Sequence, residues 1–431
     1  MRVLRSTDKT FADDIADLCE RPAFDQDIEE GVKNILRDIR QNGDKAVSKY
    51  AEKYDSVKLS PSEFPVADKM IHEANRMVSS EIRDAVIQAH RQIKDFSSRQ
   101  LPEPWSYAPR KGVIVGERYH PLERVAVYVP GGTAPLISTV LHTVTLAAVA
   151  GVPEIVVTTP ADEDKNIHPA LLYAAEKAGA TEVYRLGGVY AIGAFAYGTE
   201  SISKVDKIVG PGNAYVTAAK KEVYGHTDLD MVAGPSEIMI IADDSARAEF
   251  IAADMLSQLE HGSGRESAVV VTTDEDLIAQ VQEELEKQKK KLKRIDYIDK
   301  CIDSNVCFVK VDDRETAVDV ASRYAPEHLE IIARKPGALA KKVRAAGAVF
   351  LGPWTPEPVG DFVAGPSHVL PTGGSARFFS GLTADQFCRR ISVVHYQEQA
   401  LTRELDMITE IAAAEGLDAH AESAKIRVSE K

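Results

Sequence analysis

Three glycine turns stand directly after β-rich runs: Pro130-Gly131-Gly132, Gly187-Gly188 and Gly210-Pro211-Gly212-Asn213. Glycine at such a place lets backbone N–H groups approach a phosphate where the next helix begins and its peptide dipoles leave partial positive charge. None of the three spells the full G-x-G-x-x-G fingerprint, and each alone reads equally well as a tight turn. Three in one segment point to a nucleotide or similar ligand near the carboxyl ends of the strands. A second set of residues offers acid–base and metal chemistry. Gln258-Leu259-Glu260-His261 closes a helical pattern ahead of Gly262. Gln258 and His261, three apart, share a face of its last turn. A helix carboxyl end suits a cation, although a histidine there also reads as a cap. Pro326-Glu327-His328 sets an acid beside a base in a loop, as a general acid–base pair or as a polar turn. Asp361 and His368 share an irregular Gly- and Pro-rich loop, and Glu415 and His420 flank the end of the last helical run. Gln258, His261, Asp361 and His420 together make a set of N and O donors without thiolate. Zinc accepts histidine and carboxylate, and a glutamine oxygen also admits manganese or cobalt.

Positioning these groups needs alternating strands and helices. Residues 1–105 read as a helical N-terminal region, with apolar residues at helical spacing over 28–42, stopped by Gly43, and again over 67–98. Over 106–233, β-rich runs at 124–129, 154–159, 182–186 and 205–209 alternate with helical patterns. The alternation restarts over 234–372, with strands expected at 237–242, 268–272, 305–311, 329–333 and 348–351. The expected class is α/β: two similar Rossmann-like units with parallel sheets. Residues 373–431 form a helical tail too short for a core of its own, expected to pack on the main body or on a second chain. The lysine-rich run 287–293 reads as a solvated helix face.

The chain has 431 residues, with 52 Lys and Arg against 66 Asp and Glu, so its formal net charge is −14. That balance argues against a general nucleic-acid or anionic-membrane binder. No apolar stretch reaches the roughly 18 residues of a membrane span. The first residues lack the apolar core of a signal peptide. A cytoplasmic location is expected, where Cys19, Cys301, Cys307 and Cys388, which have no metal or redox spacing, stay reduced.

Seven blocks, in order, carry a resemblance: Tyr128-Val-Pro-Gly-Gly-Thr-Ala-Pro-Leu, Val205-Asp-Lys-Ile-Val-Gly-Pro-Gly-Asn213, Ala233-Gly-Pro-Ser-Glu237, Ser257-Gln-Leu-Glu-His-Gly262, Tyr324-Ala-Pro-Glu-His-Leu329, Gly360-Asp361 with His368-Val-Leu-Pro-Thr372, and Ala414-Glu-Gly-Leu-Asp-Ala-His420. The chain resembles the histidinol dehydrogenase family over about 120–420. The resemblance implies zinc-dependent oxidation of L-histidinol through the aldehyde to L-histidine, with reduction of two NAD, at the end of histidine biosynthesis. It implies one zinc per subunit on Gln258, His261, Asp361 and His420, which also face the substrate. Glu327 and His328 would be the acid–base pair, with His328 also touching substrate. Ser236, His368 and Glu415 would contact substrate, and Tyr128 and Asn213 would contact NAD. It further implies a homodimer whose C-terminal tail is exchanged, so that Glu415 and His420 serve the partner's site. One position departs from the family. Where the family has Gly-Gly-Ala-Gln-Ala with an NAD-contacting glutamine, this chain has Gly187-Gly188-Val189-Tyr190-Ala191. Tyr190 at that cofactor position offers one hydroxyl in place of an amide's paired donor and acceptor. Thr133-Ala134 favours histidinol over the sulfonated diols that some relatives of the family oxidise. Alternatives remain at this point: a dehydrogenase of another amino or sulfo alcohol, a zinc hydrolase (which the absence of HExxH disfavours), or a non-catalytic metal binder.

Overall fold

Two parallel sheets carry the α/β part of the chain. The computed structural model describes residues 1–21, 27–131 and 135–428; Gly132 of the first glycine turn, with Thr133 and Ala134, lies outside the described residues. The chain divides into two compact units, Met1–Gln100 with Glu123–Phe387, and Leu101–Leu122 with Cys388–Lys431.

In the larger unit a five-stranded sheet has the order Glu182–Tyr184, Glu154–Thr158, Arg124–Tyr128, Lys207–Val209, Asp228–Leu229. A six-stranded sheet has the order Arg2–Arg5, Val306–Lys310, Ser267–Thr272, Glu237–Ala242, His328–Ile332, Ala348–Leu351. Every pairing in both sheets is parallel. The central strands are buried on both faces, which explains their unbroken apolar runs. Ile238 and Ile240 point into one core layer, and Met239 and Ile241 into the other, as strand alternation requires. The expected α/β alternation is thus present.

Several elements differ from the sequence expectation. The first residues, read as helical, include the edge strand Arg2–Arg5, paired with Val306–Lys310. Four residues are too few to show a period. Gly43 stops the first helical stretch as expected, but a second follows at once: φ +49° and ψ −131° at Gly43 kink the run Asp27–Tyr54 into two helices. The Glu200 carboxylate occupies the place of a Cβ there and accepts the Asp44 N–H at 2.8 Å, restarting the helix. The 67–98 pattern is two helices, Asp68–Met77 and Ser80–Ser98, the second capped by the Ser79 hydroxyl. Gly188–Tyr197 is an unexpected helix, buried almost all round and so without the polar face that marks helices in a sequence. Gly193 lets it approach the Asp27–Tyr54 helix closely, since a Cβ there would lie 3.0 Å from Leu36. The stretch after Gly43 is anchored separately, with Ala46, Val47, Tyr50 and Ala51 buried in the same core just ahead of Asp55.

The smaller unit pairs Cys388–Tyr396 and Trp105–Arg110 antiparallel on either side of Val113–Pro121, followed by helices Glu398–Ala414 and Asp418–Lys425. Glu404 ties helix to sheet by accepting from Arg110 and from the Tyr396 hydroxyl, at 2.7 and 2.8 Å. No helix among the described residues is long and apolar enough to cross a membrane.

Asp243 locks the carboxyl edge of the six-stranded sheet. It is 1% exposed and accepts from the Ser245 and Arg334 N–H groups, both at 3.0 Å, and pairs with Arg314 at 2.7 Å. Burial alone would raise its pKa, but these donors win and hold it below the usual carboxylate range. A group with a depressed folded pKa stabilises above its unfolded value and loses that contribution as pH falls through the folded value. Asp243→Asn should therefore lower unfolding free energy by about 1–3 kcal/mol at pH 7. The gap to wild type should shrink below about pH 4, as urea titrations at pH 7 and pH 3 will show. A gap of equal size at both pH values would remove the linkage.

Candidate functional site

A cleft of about 500 Å³ in the larger unit gathers Ser236, His261, Glu327, His328, Asp361 and His368. Its floor is the amino edge of the six-stranded sheet: Ser236 precedes the strand Glu237–Ala242, and His328 begins the strand His328–Ile332. Gly131, Pro211, Gly212 and Asn213 also line it, and they follow carboxyl ends of strands in the five-stranded sheet.

Parallel pairing sets His328 beside Ile238, so the acid–base pair sits against the neighbouring strand's backbone. The Glu237 N–H donates to Glu327 Oε2 at 2.9 Å, and His328 Nδ1 lies 3.3 Å from the Glu237 carbonyl. His328 is 3% exposed and faces three carboxylates: Glu327 at 3.8 Å from Nδ1, Asp361 at 3.8 Å and Glu357 at 3.9 Å from Nε2. Burial by itself would lower the imidazole pKa; the charge of Glu327 and the contacts with Asp361 and Glu357 outweigh it and raise it to about 10. Glu327 is pushed up to about 8 by burial, with His328 opposing. For Asp361 burial works the other way from its partners, and His328 and His368 hold it well below the carboxylate range.

Glu357 is the member that sequence reasoning missed. It opens the helix Glu357–Phe362, four residues ahead of Asp361 and so on the same face. That spacing was the available signal. Its N–H donates to Glu330 at 2.8 Å, and the Ser257 hydroxyl donates to its Oε2 at 3.1 Å. Among the described residues, the ligating atoms of His328, Glu357 and Asp361 lie within 4.8 Å of one another.

Gln258 ends the helix Ala248–Leu259, and His261 follows in the turn. The Gln258 carbonyl is 2.9 Å from His261 Nδ1, leaving Nε2 for other partners. Gln258 is fully buried, yet its Oε1 has no partner. An orphaned buried amide oxygen, on a side chain whose Nε2 lies 3.2 Å from His261 Nδ1, suits a borderline cation. His368 is half-buried with Nε2 unpartnered, and its ring packs on His142, centroids 4.7 Å apart. Burial keeps His142 neutral, its pKa near 3. Glu415 and His420 belong to the smaller unit, where both are exposed.

A second cleft of about 700 Å³ shares Gly131 and Asn213 with the first and is also lined by Asp55, Tyr128, Gly188 and Tyr215. Here the structure corrects one sequence expectation. The N–H groups of Gly187 and Gly188 do not face a ligand: they donate to the hydroxyls of Tyr190 at 3.0 Å and Tyr128 at 3.2 Å. Tyr190 does not line the cleft; it is 1% exposed, and its hydroxyl donates to Asp55. Gly187 is required for this approach, since a Cβ would lie 2.7 Å from Pro160 and 3.0 Å from the Asp55 carboxylate. Asn213 spends its side-chain oxygen on the N–H groups of Tyr215 and Val216, both at 3.1 Å, capping the helix Ala214–Val223. Its amide NH₂ remains.

The sequence profile of histidinol dehydrogenase matches residues 19–428. The chain is 44% identical over 404 residues to histidinol dehydrogenase of Heliobacterium mobile, covering 94% of each chain. It is 44% identical over 409 residues to that of Carboxydothermus hydrogenoformans, covering 95% of this chain and 96% of the relative. A crystal structure of histidinol dehydrogenase from Elizabethkingia anophelis superposes with a TM-score of 0.93 at 35% identity, over 99% of this chain and 98% of that one. The fold and the site therefore define an NAD-dependent oxidoreductase. The chain belongs to the histidinol dehydrogenase family.

The turn at Gly210 that feeds both clefts is clamped from beneath. Gly210 has φ +114°, and a Cβ there would strike the Tyr128 carbonyl. Its N–H donates to Asp230 at 2.7 Å, and its carbonyl accepts from Lys220 at 2.9 Å. Lys220 and Asp230 pair with each other, 4% and 1% exposed. Removing one member of a buried pair leaves an uncompensated charge, at a cost of about 3–5 kcal/mol. Lys220→Met should lose that much in a denaturant titration, and Lys220→Met with Asp230→Asn should recover part of it. No recovery in the double variant would show that the pair's charge balance is not what holds the turn.

Proposed function

We propose that this protein oxidises L-histidinol through histidinaldehyde to L-histidine, reducing two NAD, as in histidine biosynthesis. One observation carries the reading: His261, Asp361 and the Glu327–His328 pair converge on a cleft that shares Gly131 and Asn213 with a larger one, and Gln258, three residues before His261, keeps a buried oxygen without a partner. Gln258, His261 and Asp361 would hold zinc, with His420 as the fourth protein ligand. Bound there, zinc would supply positive charge that orients the substrate's amine and imidazole nitrogens and offsets the buried carboxylates.

The protein's own groups do the rest. With Asp361 committed to zinc, part of the negative charge that raises His328 would be taken up, and the neutral imidazole's Nε2, which has no hydrogen-bond partner, takes the hydroxyl proton as hydride passes from carbon to the first NAD. Its Nδ1, near the Glu237 carbonyl, fixes the ring's orientation. Glu327, raised by burial toward neutrality, draws a proton from the water that attacks the aldehyde. The second hydride then passes to the second NAD and leaves the carboxylate. Ser236 and His368 complete the substrate pocket from the same cleft.

The protein acts as a homodimer. Glu415 and His420 sit on a unit built from two distant chain segments, and its sheet exposes apolar side chains such as Tyr107, Ile391 and Val394. Such surface asks to be covered, and a second copy would cover it while lending Glu415 and His420 to the partner's site.

NADH formation from L-histidinol, followed with and without a chelator, tests the whole reading; no NADH with zinc restored overturns it. His261→Asn should lower zinc content as well as rate. His328→Asn should slow alcohol oxidation, and Glu327→Gln should slow aldehyde oxidation more than alcohol oxidation, each by about 10²–10⁴-fold. Wild-type rates for both half-reactions in both variants would end the acid–base assignment. Co-expressed His261→Asn and His420→Asn chains should form mixed dimers with one intact site, restoring up to about half the activity. An inactive, verified mixed dimer would refute the exchange of tails.

A further inference from the structure

We propose that Asp55, oriented by Tyr190, accepts a hydrogen bond from the adenosine ribose of the dinucleotide and excludes a 2′-phosphate, making this chain selective for NAD over NADP. The proposal rests on the reading that the larger cleft receives the cofactor. Asp55 follows the helix Asp27–Tyr54 and lies where no dinucleotide fingerprint would place an acid, far ahead of the sheet in sequence. Among the described residues lining that cleft it is the sole ionisable carboxylate, and no lysine or arginine lines it. A 2′-phosphate site needs a cation, whereas a ribose hydroxyl needs an acceptor.

Asp55 has that acceptor free. Its Oδ2 takes the Tyr190 hydroxyl, and Oδ1 has no partner among the described residues. The amino end of the helix Gly188–Tyr197 would ordinarily receive a phosphate. Here the N–H groups of Gly187 and Gly188 are already spent on Tyr190 and Tyr128, and a carboxylate stands over that end of the helix. A phosphate would therefore find the two glycine N–H groups committed and would meet one negative charge. Polyol recognition, not phosphate recognition, fits this end of the cleft. The two clefts also order the cofactor. Glu327 and His328 line the smaller cleft, which must hold the nicotinamide, and Gly131 and Asn213 bridge to the larger one. Asp55 lines only the larger cleft, so it faces the distal, adenosine half.

Tyr190 is a positioning residue. It is buried, and its single hydroxyl accepts from the Gly187 N–H and donates to Asp55, which fixes the carboxylate's rotation.

The test is direct binding of NAD and NADP by calorimetry, with kcat and KM for both on L-histidinol. Wild type should prefer NAD. Asp55→Asn should tighten NADP binding by about tenfold through loss of like-charge repulsion. It should weaken NAD binding by several-fold, because a charge-assisted hydrogen bond becomes a neutral one. Tyr190→Phe should raise KM for NAD more than it lowers kcat, and Tyr190→Gln, which again offers a donor, should restore it. NAD lacking the 2′-hydroxyl of its adenosine ribose should bind wild type more weakly than NAD does. It should show little further loss in Asp55→Asn. An unchanged NAD to NADP ratio in folded Asp55→Asn overturns the proposal and leaves the cofactor cleft standing. Should that variant not fold, equal wild-type affinity for NAD and its deoxy analogue overturns it. Folded wild type that binds neither dinucleotide overturns the cofactor reading itself, and this proposal with it.

Discussion

One buried imidazole facing three carboxylates, two of them buried and the third half-buried, is the constraint around which the site is built. His328 cannot be left unpaired in that interior, and neither can Glu327, Glu357 or Asp361, because isolated buried charge is costly. Glu327 is held by the Glu237 N–H, His328 lies against the Glu237 carbonyl, and the Glu357 carboxylate accepts from the Ser257 hydroxyl. The polar groups that do the chemistry are thereby locked to two adjacent central strands. A strand slip of one residue would turn His328 to the other face and undo the cluster.

The two sheets contribute opposite edges to the same region. The five-stranded sheet offers its carboxyl edge, where glycine turns permit close backbone approach. The six-stranded sheet offers its amino edge, where the acid–base pair stands. Parallel sheets of the usual kind place ligands at carboxyl ends. Here the second sheet contributes through residues at its strand starts, Ser236 and His328. The buried Lys220–Asp230 pair steadies the carboxyl edge of the five-stranded sheet: it holds a turn whose own conformation is unfavourable for any residue but glycine.

The network of Tyr128, Tyr190 and Asp55 shows how a substitution can alter a site without lining it. A glutamine at position 190 could offer its amide to a ligand. A tyrosine there is buried beneath the surface, accepts from a backbone N–H and donates a hydrogen bond to a carboxylate that does line the cleft. The recognition surface is then the acid, not the substituted residue.

Much of this was legible in the sequence, for definite reasons. Strands buried on both faces leave continuous apolar runs, so the parallel α/β class and most of the strands could be read directly. Short-range relations were legible too: Gln258 and His261 on one helical turn, Glu327 beside His328, glycine after a strand. Local spacing could not reveal partners that come from far along the chain. The Asp27–Tyr54 helix delivers Asp55 to Tyr190, 135 positions away; the edge strand Arg2–Arg5 finds its mate near residue 308; and the segment 101–122 joins residues 388–431 in a separate unit. The helix Gly188–Tyr197 was invisible because burial on every side removes the amphipathic signal. Glu357 was hidden for a related reason. Whether an acid in a Pro-rich loop is solvated or buried against a histidine is decided by what packs over it, and only the tertiary structure brings Ser257, Glu330 and His328 to surround it.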